Sequence, residues 1–90
     1  EQASLVKFHD YKVLAVNSPL LRSEVGNAIV KKGYPLAIIW HRKGSKIYVS
    51  LRSSGKIDVA RIAGRYGGGG HKAAAGFTYD AKKPLPWKYL

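Results

Sequence analysis

Four consecutive glycines followed by a histidine are the part of the chain whose residue types most suggest ligand chemistry. The glycines, Gly67 to Gly70, come directly after a segment with helical periodicity, and His71 follows them. A glycine increases the conformational entropy of the unfolded chain and adds no packing side chain, so a run of four requires an explanation. A left-handed helix end accounts for one glycine and a tight turn for a second. The other two indicate that a backbone segment or a ligand approaches more closely than a β-carbon would permit.

A phosphate is the ligand that suits this loop. If the chain forms a helical turn from His71 onward, the free N–H groups of that turn point into the glycine loop and can bind an anion. The His71 imidazole can then donate a hydrogen bond to a nonbridging phosphate oxygen. A flexible linker is the alternative interpretation of a glycine run, but this run lies between a helix and an apolar segment.

A second polar group lies on a segment with the periodicity of a strand. Apolar and polar residues alternate from Ile47 to Arg52, which places Ser50 and Arg52 on the face opposite the aliphatic side chains. The planar guanidinium of an arginine suits bidentate contact with a phosphate. A salt bridge at the surface is the alternative for Arg52, yet the whole chain contains only five acidic residues. Tyr48, on the same face, is a candidate for stacking against a base.

The charge of the chain also indicates a polyanionic partner. Sixteen Lys and Arg residues oppose five Asp and Glu, which gives a net charge of +11 at pH 7, and no acidic residue occurs from Val25 to Ile57. Such an imbalance causes self-repulsion and is typical of proteins that bind nucleic acids or other phosphate-rich ligands. For any single lysine, a solvated basic surface is the alternative.

Three absences in the sequence narrow the class of protein. The chain has no cysteine, which excludes disulfides, thiolate metal sites and cysteine nucleophiles. No apolar stretch approaches the roughly 18 residues that a membrane span needs, and no signal peptide is evident. We therefore expect a cytoplasmic protein with no membrane partner.

The order of the predicted elements indicates a single small α+β domain. We expect a mixed β-sheet of about four to five strands, with two main helices packed on it and a glycine-rich loop. The strands are predicted at residues 11–16, 36–40, 47–52 and 76–79, and the helices at residues 19–32 and 59–66.

The chain is predicted to divide into three parts. Residues 1–10 are a linker or leading segment, residues 11–80 form the domain, and residues 81–90 are an extended, proline-containing tail. Trp87 of this tail is expected to fold back on the core or to meet another domain. Because the chain begins at Glu1 without a methionine, we expect it to be part of a longer protein.

Two motifs together resemble a known family. The run from Gly67 to His71, with its continuation Ala74-Ala75-Gly76-Phe77, and the segment Ser50-Leu51-Arg52-Ser53 are similar to the C-terminal associated domain of the DHH-family phosphoesterases. The resemblance extends from about Tyr11 to Tyr79. The family includes oligoribonucleases, single-strand exonucleases and cyclic-dinucleotide phosphodiesterases, in which a metal-binding catalytic domain precedes the associated domain.

The resemblance implies a set of substrate-binding residues: Arg52, Ser53, Gly68, Gly69, Gly70, His71 and Lys72. The arginine and the serine would contact the substrate, and the glycine backbone would hold a phosphate or a base. The histidine would reach toward the scissile phosphate as an auxiliary catalytic group. Manganese or another divalent metal is expected as a cofactor of the preceding catalytic domain, and no cofactor is expected in this chain.

The chain does not show the residue pattern of a metal site of its own. A two-metal phosphoesterase site needs a cluster of Asp and His ligands. The adjacent His9 and Asp10 are interpreted as an exposed segment, because one pair without further ligands does not make a site, and Asp58 is interpreted as a helix cap. We therefore assign no metal ligand and do not expect the chain to be catalytic on its own.

The sequence leaves three functions open. The first is a substrate-binding domain of a metal-dependent phosphodiesterase that acts on short single-stranded RNA or DNA, with the phosphate held by the glycine loop, His71 and Arg52. The second is a regulatory nucleotide or cyclic-dinucleotide sensor that takes no part in hydrolysis. The third is a structural interaction domain whose basic face docks an acidic partner.

Overall fold

A computed structural model of the chain describes residues 2–19 and 22–90. These residues form a seven-stranded sheet and two helices: β1 Gln2–Phe8, β2 Tyr11–Asn17, α1 Arg22–Lys31, β3 Leu36–Lys43, β4 Lys46–Ser53, α2 Val59–Gly64, β5 Gly69–His71, β6 Ala74–Asp80 and β7 Trp87–Tyr89. The predicted α+β class, the mixed sheet and the two helices are confirmed, although the sheet has seven strands and not four to five. Neither of these helices is long and apolar enough to cross a membrane.

The strands follow the order β5-β6-β4-β3-β2-β1-β7 across the sheet. β2 and β3 are parallel, with Val16 opposite Ile39, and α1 connects them, as predicted for a strand–helix–strand unit. The other neighbouring strands are antiparallel. β5, which carries the end of the glycine run and His71, therefore lies at one edge of the sheet.

The two helices lie on opposite faces of the sheet, which we call the α1 face and the α2 face. Successive residues of a strand point to opposite faces, so apolar residues at alternate positions separate into two clusters. The larger cluster lies on the α2 face, where Leu51 packs with Val59 and Ile62 of α2. On the α1 face, Ile39 packs with Ile29 of α1. The polar residues of β4 that alternate with its apolar ones consequently lie on the α1 face.

α1 covers only the middle of its face, because it packs on β3 and β4 and leaves β6 and β5 open. Gly33, with a φ of +102°, follows the end of this helix as predicted. The predicted helix start at Pro19 adjoins residues 20 and 21, which lie outside the described residues. On the uncovered strands, Gly69 and His71 are exposed, so this part of the α1 face is accessible to a ligand.

Both ends of the described chain belong to the sheet. β1, which lies in the segment predicted to be a linker or leading segment, pairs along its length with β2, and Val6 and Phe8 are fully buried. β7 pairs with β1, and Trp87 lies in the core with its ring 6.0 Å from that of Trp40. The expected fold-back of Trp87 is thus observed, and the first ten residues contribute a full strand.

Candidate functional site

The glycine run starts at the end of α2 with a left-handed cap. Gly67 has a φ of +82°. Its N–H donates to the carbonyl oxygen of Gly64 at 3.1 Å, and the N–H of Gly68 donates to the carbonyl oxygen of Ala63 at 2.9 Å. This pair of bonds is the Schellman motif, in which a glycine commonly occupies the left-handed position. The predicted role of Gly67 as a helix cap is confirmed.

Close contact with β6 explains two more glycines. A β-carbon on Gly68 would press against the carbonyl oxygen of Gly76 and would lie 2.6 Å from the β-carbon of Phe77. A β-carbon on Gly70 would lie 2.6 Å from the carbonyl oxygen of Ala74, and the φ of Gly70 is +147°. Both residues are therefore glycines because the loop crosses the backbone of β6 without room for a side chain.

Gly69 is the member of the run that the fold does not explain. Its φ lies outside the left-handed region, and a β-carbon built on it would meet nothing within 4 Å. Alanine would fit at this position in the structure. The expectation that a backbone segment approaches the run closely is met at Gly68 and Gly70, whereas Gly69 has no such contact among the described residues.

The prediction of a helical turn after His71 is wrong. Residues 72 and 73 form the turn of a β-hairpin that joins β5 to β6. Ala75 and Phe77, which are two positions apart, are both buried in the core. Burial of every second residue favours a strand over a helical turn. Residues 72 and 73 therefore do not supply the helical N–H groups that the sequence predicted for this loop. The outer edge of β5 instead presents backbone N–H and C=O groups that the sheet does not pair.

Backbone hydrogen bonds hold the hairpin turn in place. The N–H of Val59 donates to the carbonyl oxygen of Lys72 at 2.9 Å, and the N–H of Ser53 donates to the carbonyl oxygen of Ala73 at 3.0 Å. These bonds attach the turn to the start of α2 and the end of β4. The side chains of His71 and Lys72 remain exposed at this corner of the domain.

Strand pairing brings the two sequence motifs together on the α1 face. We call their shared surface the open trough, which consists of Arg52, Ala74 and His71 in one row across β4, β6 and β5, and of Ser50, Gly76 and Gly69 in the next row. Because neighbouring strands are about 4.8 Å apart, the Cα atoms of Arg52 and His71 are separated by about 10 Å. β6, in the middle, contributes only a methyl group and a hydrogen atom. Space therefore remains between the flanking side chains.

A shallow depression of about 380 Å³ adjoins the open trough. The glycine loop borders the depression on one side, and residues of β4 and β6 border it on the other. The lining residues are Gly67, Gly68, Tyr48, Val49, Ser50, Gly76, Phe77 and Thr78. Its volume is near the lower end of the range for small-molecule sites. The depression shares Ser50 and Gly76 with the open trough, so the two are adjacent.

Arg52 is held in place by α1. A β-carbon on Gly26 would lie 2.5 Å from Cγ of Arg52, so the helix rests against the stem of this side chain. The guanidinium donates to the carbonyl oxygen of Leu51 at 3.2 Å and to Oγ of Ser23 at 3.3 Å. These partners within the described chain are neutral oxygens. In these contacts, no carboxylate of the described chain neutralises the charge of Arg52.

Aromatic contacts fix the end of α2 from which the glycine loop departs. Tyr66 stacks on Phe77 with ring centroids 4.4 Å apart and an interplanar angle of 15°. Its hydroxyl lies 2.9 Å from Nε2 of His9 in the turn between β1 and β2. Burial, with a further contribution from Tyr79, raises the pKa of Tyr66 above its ordinary value of 10.0, and Arg65 opposes the shift. The hydroxyl is thus neutral at pH 7 and can hydrogen-bond with the imidazole.

Comparison with known protein families identifies the family of this chain. Residues 11–86 match the DHHA1 domain. The chain belongs to the DHHA1 domain family. The resemblance to the associated domain of the DHH-family phosphoesterases, which the glycine–histidine motif indicates, is thereby confirmed.

Two curated proteins share this DHHA1 domain at the level of sequence. The oligoribonuclease NrnB of Bacillus subtilis (strain 168) is 42% identical over 69 residues, which cover 76% of this chain and 17% of that protein. The uncharacterized protein R106 of Acanthamoeba polyphaga mimivirus is 36% identical over 77 residues, which cover 79% of this chain and 18% of that protein. The chain thus spans less than a fifth of the length of these relatives.

Two solved structures contain a similar fold. An uncharacterized protein from Helicobacter pylori G27 superposes with a TM-score of 0.72 and 29% identity, over 86% of this chain and 22% of that one. The pGpG-specific phosphodiesterase PggH from Vibrio cholerae superposes with a TM-score of 0.58 and 15% identity, over 87% of this chain and 30% of that one. At 15% identity the second similarity concerns the fold alone.

Within this DHHA1 domain, the side chain of Ser53 lies on the face of β4 opposite that of Arg52. It is buried on the α2 face, where its Oγ donates to the carbonyl oxygen of Ile57 at 2.7 Å and accepts the N–H of Gly55 at 3.1 Å. The hydroxyl therefore closes the loop between β4 and α2. The alternation that places Arg52 on the α1 face puts residue 53 on the opposite one.

The sequence analysis did not identify the residues that orient Arg52. Gly26 lies within α1, where a glycine lowers helix stability by about 1 kcal/mol relative to alanine. Because glycine is unfavourable within a helix, its presence at this position indicates a close contact that leaves no room for a side chain. Ser23, three residues earlier on the same helix, has no comparable signal, because serines are common on exposed helix surfaces.

The donor set of this DHHA1 domain does not fit a metal site. Among residues 2–19 and 22–90, no three His, Cys, Asp or Glu side chains group closely enough to hold a metal ion. His9 is engaged with Tyr66, and Asp58 caps α2 as predicted by accepting the N–H of Arg61 at 3.2 Å.

Proposed function

We propose that this DHHA1 domain is the substrate-binding part of a metal-dependent phosphodiesterase that acts on short single-stranded RNA or DNA. Arg52, His71 and the backbone at Gly69 hold a phosphate of the substrate in the open trough. The observation that carries the proposal is the position of Gly69, a glycine without a packing reason, in the row next to two cationic or titratable side chains. A phosphate between Arg52 and His71 would occupy the space that the absent side chain leaves.

The chemistry of the open trough supports a phosphate in particular. The Arg52 guanidinium presents a planar set of donors that matches phosphate oxygens, and its stem is already immobilised against α1. His71 reaches in from the edge strand as an auxiliary group that donates to a nonbridging oxygen. Lys72, exposed beside it, contributes long-range attraction. Gly68 and Gly70 shape the loop, whereas Ser53 supports it from the other face.

The comparisons support the substrate class. One relative is named an oligoribonuclease, which is a name for an enzyme that acts on short RNA. Because this chain matches less than a fifth of the oligoribonuclease, we place the catalytic metals, manganese or another divalent cation, in a preceding DHH domain of the parent protein. The attacking water would belong to that domain.

The proposal is tested by titrating the 90-residue chain with a 5′-phosphorylated dinucleotide and following the backbone amide signals of residues 67–72 by NMR. We expect the affinity to fall with salt at a slope near −0.7 per phosphate contacted. Arg52→Ala removes a charge-assisted hydrogen bond of roughly 1.5 to 3 kcal/mol, which corresponds to a loss of about 10- to 140-fold in affinity. His71→Ala should weaken binding less, because its contact is auxiliary.

Lys88→Ala is the matched control for these variants. Lys88 is exposed on β7, at the edge of the sheet opposite β5, and its removal changes the net charge of the protein as Arg52→Ala does. An equal loss of affinity in Lys88→Ala and Arg52→Ala would contradict the proposal, since it would reduce binding to non-specific attraction. Competition between a linear and a cyclic dinucleotide in the same assay separates substrate binding from a sensor role.

A further inference from the structure

The polar side of β4 continues beyond the open trough to an exposed aromatic pair. Tyr48 of β4 is opposite His41 of β3, and both lie on the α1 face. Their rings are stacked, with centroids 5.2 Å apart and an interplanar angle of 11°. Tyr48 is 36% exposed, although it is a large side chain at the middle of the sheet. The fold therefore orders this ring without burying it.

One side of the Tyr48 ring is directed toward the depression. His41 lies on the β3 side of the tyrosine, and the depression lined by Ser50, Gly76 and Thr78 lies on its β6 side. Gly76 adds no side chain to the floor, because a β-carbon there would lie 2.9 Å from the carbonyl oxygen of Val49. A flat ring thus lies at the end of a floor without bulky side chains.

The spacing along β4 relates this ring to the phosphate site. Alternate residues on the α1 face of the strand are Arg52, Ser50 and Tyr48, so a cation, a hydroxyl and an aromatic ring follow one another. At about 3.3 Å per residue, the Cα atoms of Arg52 and Tyr48 are separated by about 13 Å. Both side chains belong to the α1 face, so a nucleotide can lie along the strand between them. A phosphate at Arg52 then has its sugar above Ser50 and its base beside Tyr48.

We infer that Tyr48, held by His41, is a stacking platform for the nucleobase of the nucleotide whose phosphate lies at Arg52. The inference rests on the proposed function and adds to it a subsite for the base. Stacking on an aromatic ring accepts any base, because every base has a π-face. The platform therefore contributes affinity for nucleotides over other phosphate compounds without selecting a sequence.

Two ligands that differ only in the base test the inference on the 90-residue chain: 2-aminopurine riboside 5′-phosphate and ribose 5′-phosphate. In the unaltered protein, the first should bind more tightly, with quenching of its fluorescence on binding. Tyr48→Ala should lower the affinity for the base-bearing ligand by about 5- to 140-fold and abolish the quenching. The affinity for ribose 5′-phosphate should not change. Tyr48→Phe keeps the ring and should retain both the affinity and the quenching.

Controls separate a lost platform from a damaged fold or a failed phosphate site. Tyr89→Ala removes another exposed tyrosine, at the opposite edge of the sheet, and should have no effect on either ligand. Arg52→Ala should weaken both ligands. If Tyr48→Ala lowers the affinity for neither ligand, or lowers both affinities equally, Tyr48 is not a stacking platform. A loss of affinity in Arg52→Ala would still support the phosphate site. If the unaltered protein binds neither ligand, the platform and the proposed function fall together.

Discussion

Replacement of Gly69 by alanine separates what the fold requires of the glycine run from what a ligand requires. A β-carbon at this position meets nothing within 4 Å, and the backbone φ is one that alanine tolerates. Substitution of glycine at a compatible position reduces the entropy of the unfolded chain and stabilises a protein by about 0.4 to 1 kcal/mol. We therefore expect Gly69→Ala to leave the free energy of unfolding unchanged or to raise it by up to about 1 kcal/mol.

The neighbouring glycines are matched controls for this substitution. In Gly68→Ala, the new methyl group would lie 2.6 Å from the β-carbon of Phe77 and against the backbone of Gly76, and overpacking of this kind costs about 1 to 3 kcal/mol. Gly70→Ala has a similar clash and also places alanine at a φ of +147°, which adds a further strain of roughly 1 to 3 kcal/mol. Urea unfolding followed by tryptophan fluorescence gives all three values.

The effect of Gly69→Ala on binding should be opposite in sign to its effect on stability. If a phosphate approaches the β5 backbone at this position, a methyl group blocks one charge-assisted hydrogen bond, worth roughly 1.5 to 3 kcal/mol. The affinity for ribose 5′-phosphate should then fall by about 10- to 140-fold in a protein that is no less stable.

Two results would refute this reasoning. Unchanged affinity in Gly69→Ala would mean that no ligand approaches the loop at this position, and the glycine would have no role in the phosphate site. A fall of more than about 1 kcal/mol in the free energy of unfolding would mean that the fold does constrain Gly69, contrary to its open surroundings.

Three further substitutions test other parts of the structure. Gly26→Ala brings a methyl group 2.5 Å from Cγ of Arg52; the gain in helix propensity of about 1 kcal/mol offsets much of the clash. Urea unfolding should therefore change little, whereas phosphate affinity should fall because the guanidinium moves. Trp87→Phe removes a buried indole N–H that has no partner among the described residues, so it should cost less than about 2 kcal/mol in unfolding free energy, against about 3 to 5 kcal/mol for Trp87→Ala. In Tyr66→Phe, the free energy of unfolding should fall less steeply with rising pH in the alkaline range than in the unaltered protein. Because the pKa of Tyr66 is raised in the folded state, its contribution is complete below the unfolded value of 10.0 and is lost as the pH rises through the folded value. Urea midpoints measured across this range with both proteins check the difference.

The spacing of apolar and polar residues predicted those parts of the site that lie on helices and strands with a clear apolar and polar side. The alternation along β4 placed Ser50 and Arg52 on the face away from the core, and the structure shows them there. Asp58 marked the start of α2 because a carboxylate before an apolar helical pattern is a recognisable cap. In both cases the side chains themselves carry the information about local structure.

The same reasoning failed where side chains carry no pattern. β5 consists of two glycines and His71, so neither helical nor strand periodicity can be read from it, and only pairing with β6 determines its conformation. β1 was not predicted because one of its apolar residues, Leu5, faces solvent and obscures the alternation of Val6 and Phe8. Edge and terminal strands of this kind are determined by tertiary contacts.

Ser53 shows how a family resemblance and a physical pattern can disagree. The resemblance placed Ser53 beside Arg52 in contact with the substrate, whereas the period of two placed them on opposite faces of β4. The structure agrees with the period: the hydroxyl of Ser53 is buried on the α2 face and hydrogen-bonds with Ile57 and Gly55, whereas the guanidinium of Arg52 is on the α1 face and donates to Oγ of Ser23. Adjacent residues of one strand thus face a supporting loop and the proposed binding surface.

This division makes the open trough separable from the core. Arg52, Ser50 and Tyr48 occupy alternate positions of a strand whose other positions, Val49 and Leu51, are buried under α2. Substitutions at these positions would therefore alter the proposed phosphate or base contacts without opening a cavity among the core residues of the α2 face. In the proposed site, single substitutions along β4 would change ligand specificity one position at a time, while the α2-face core under this strand stays intact.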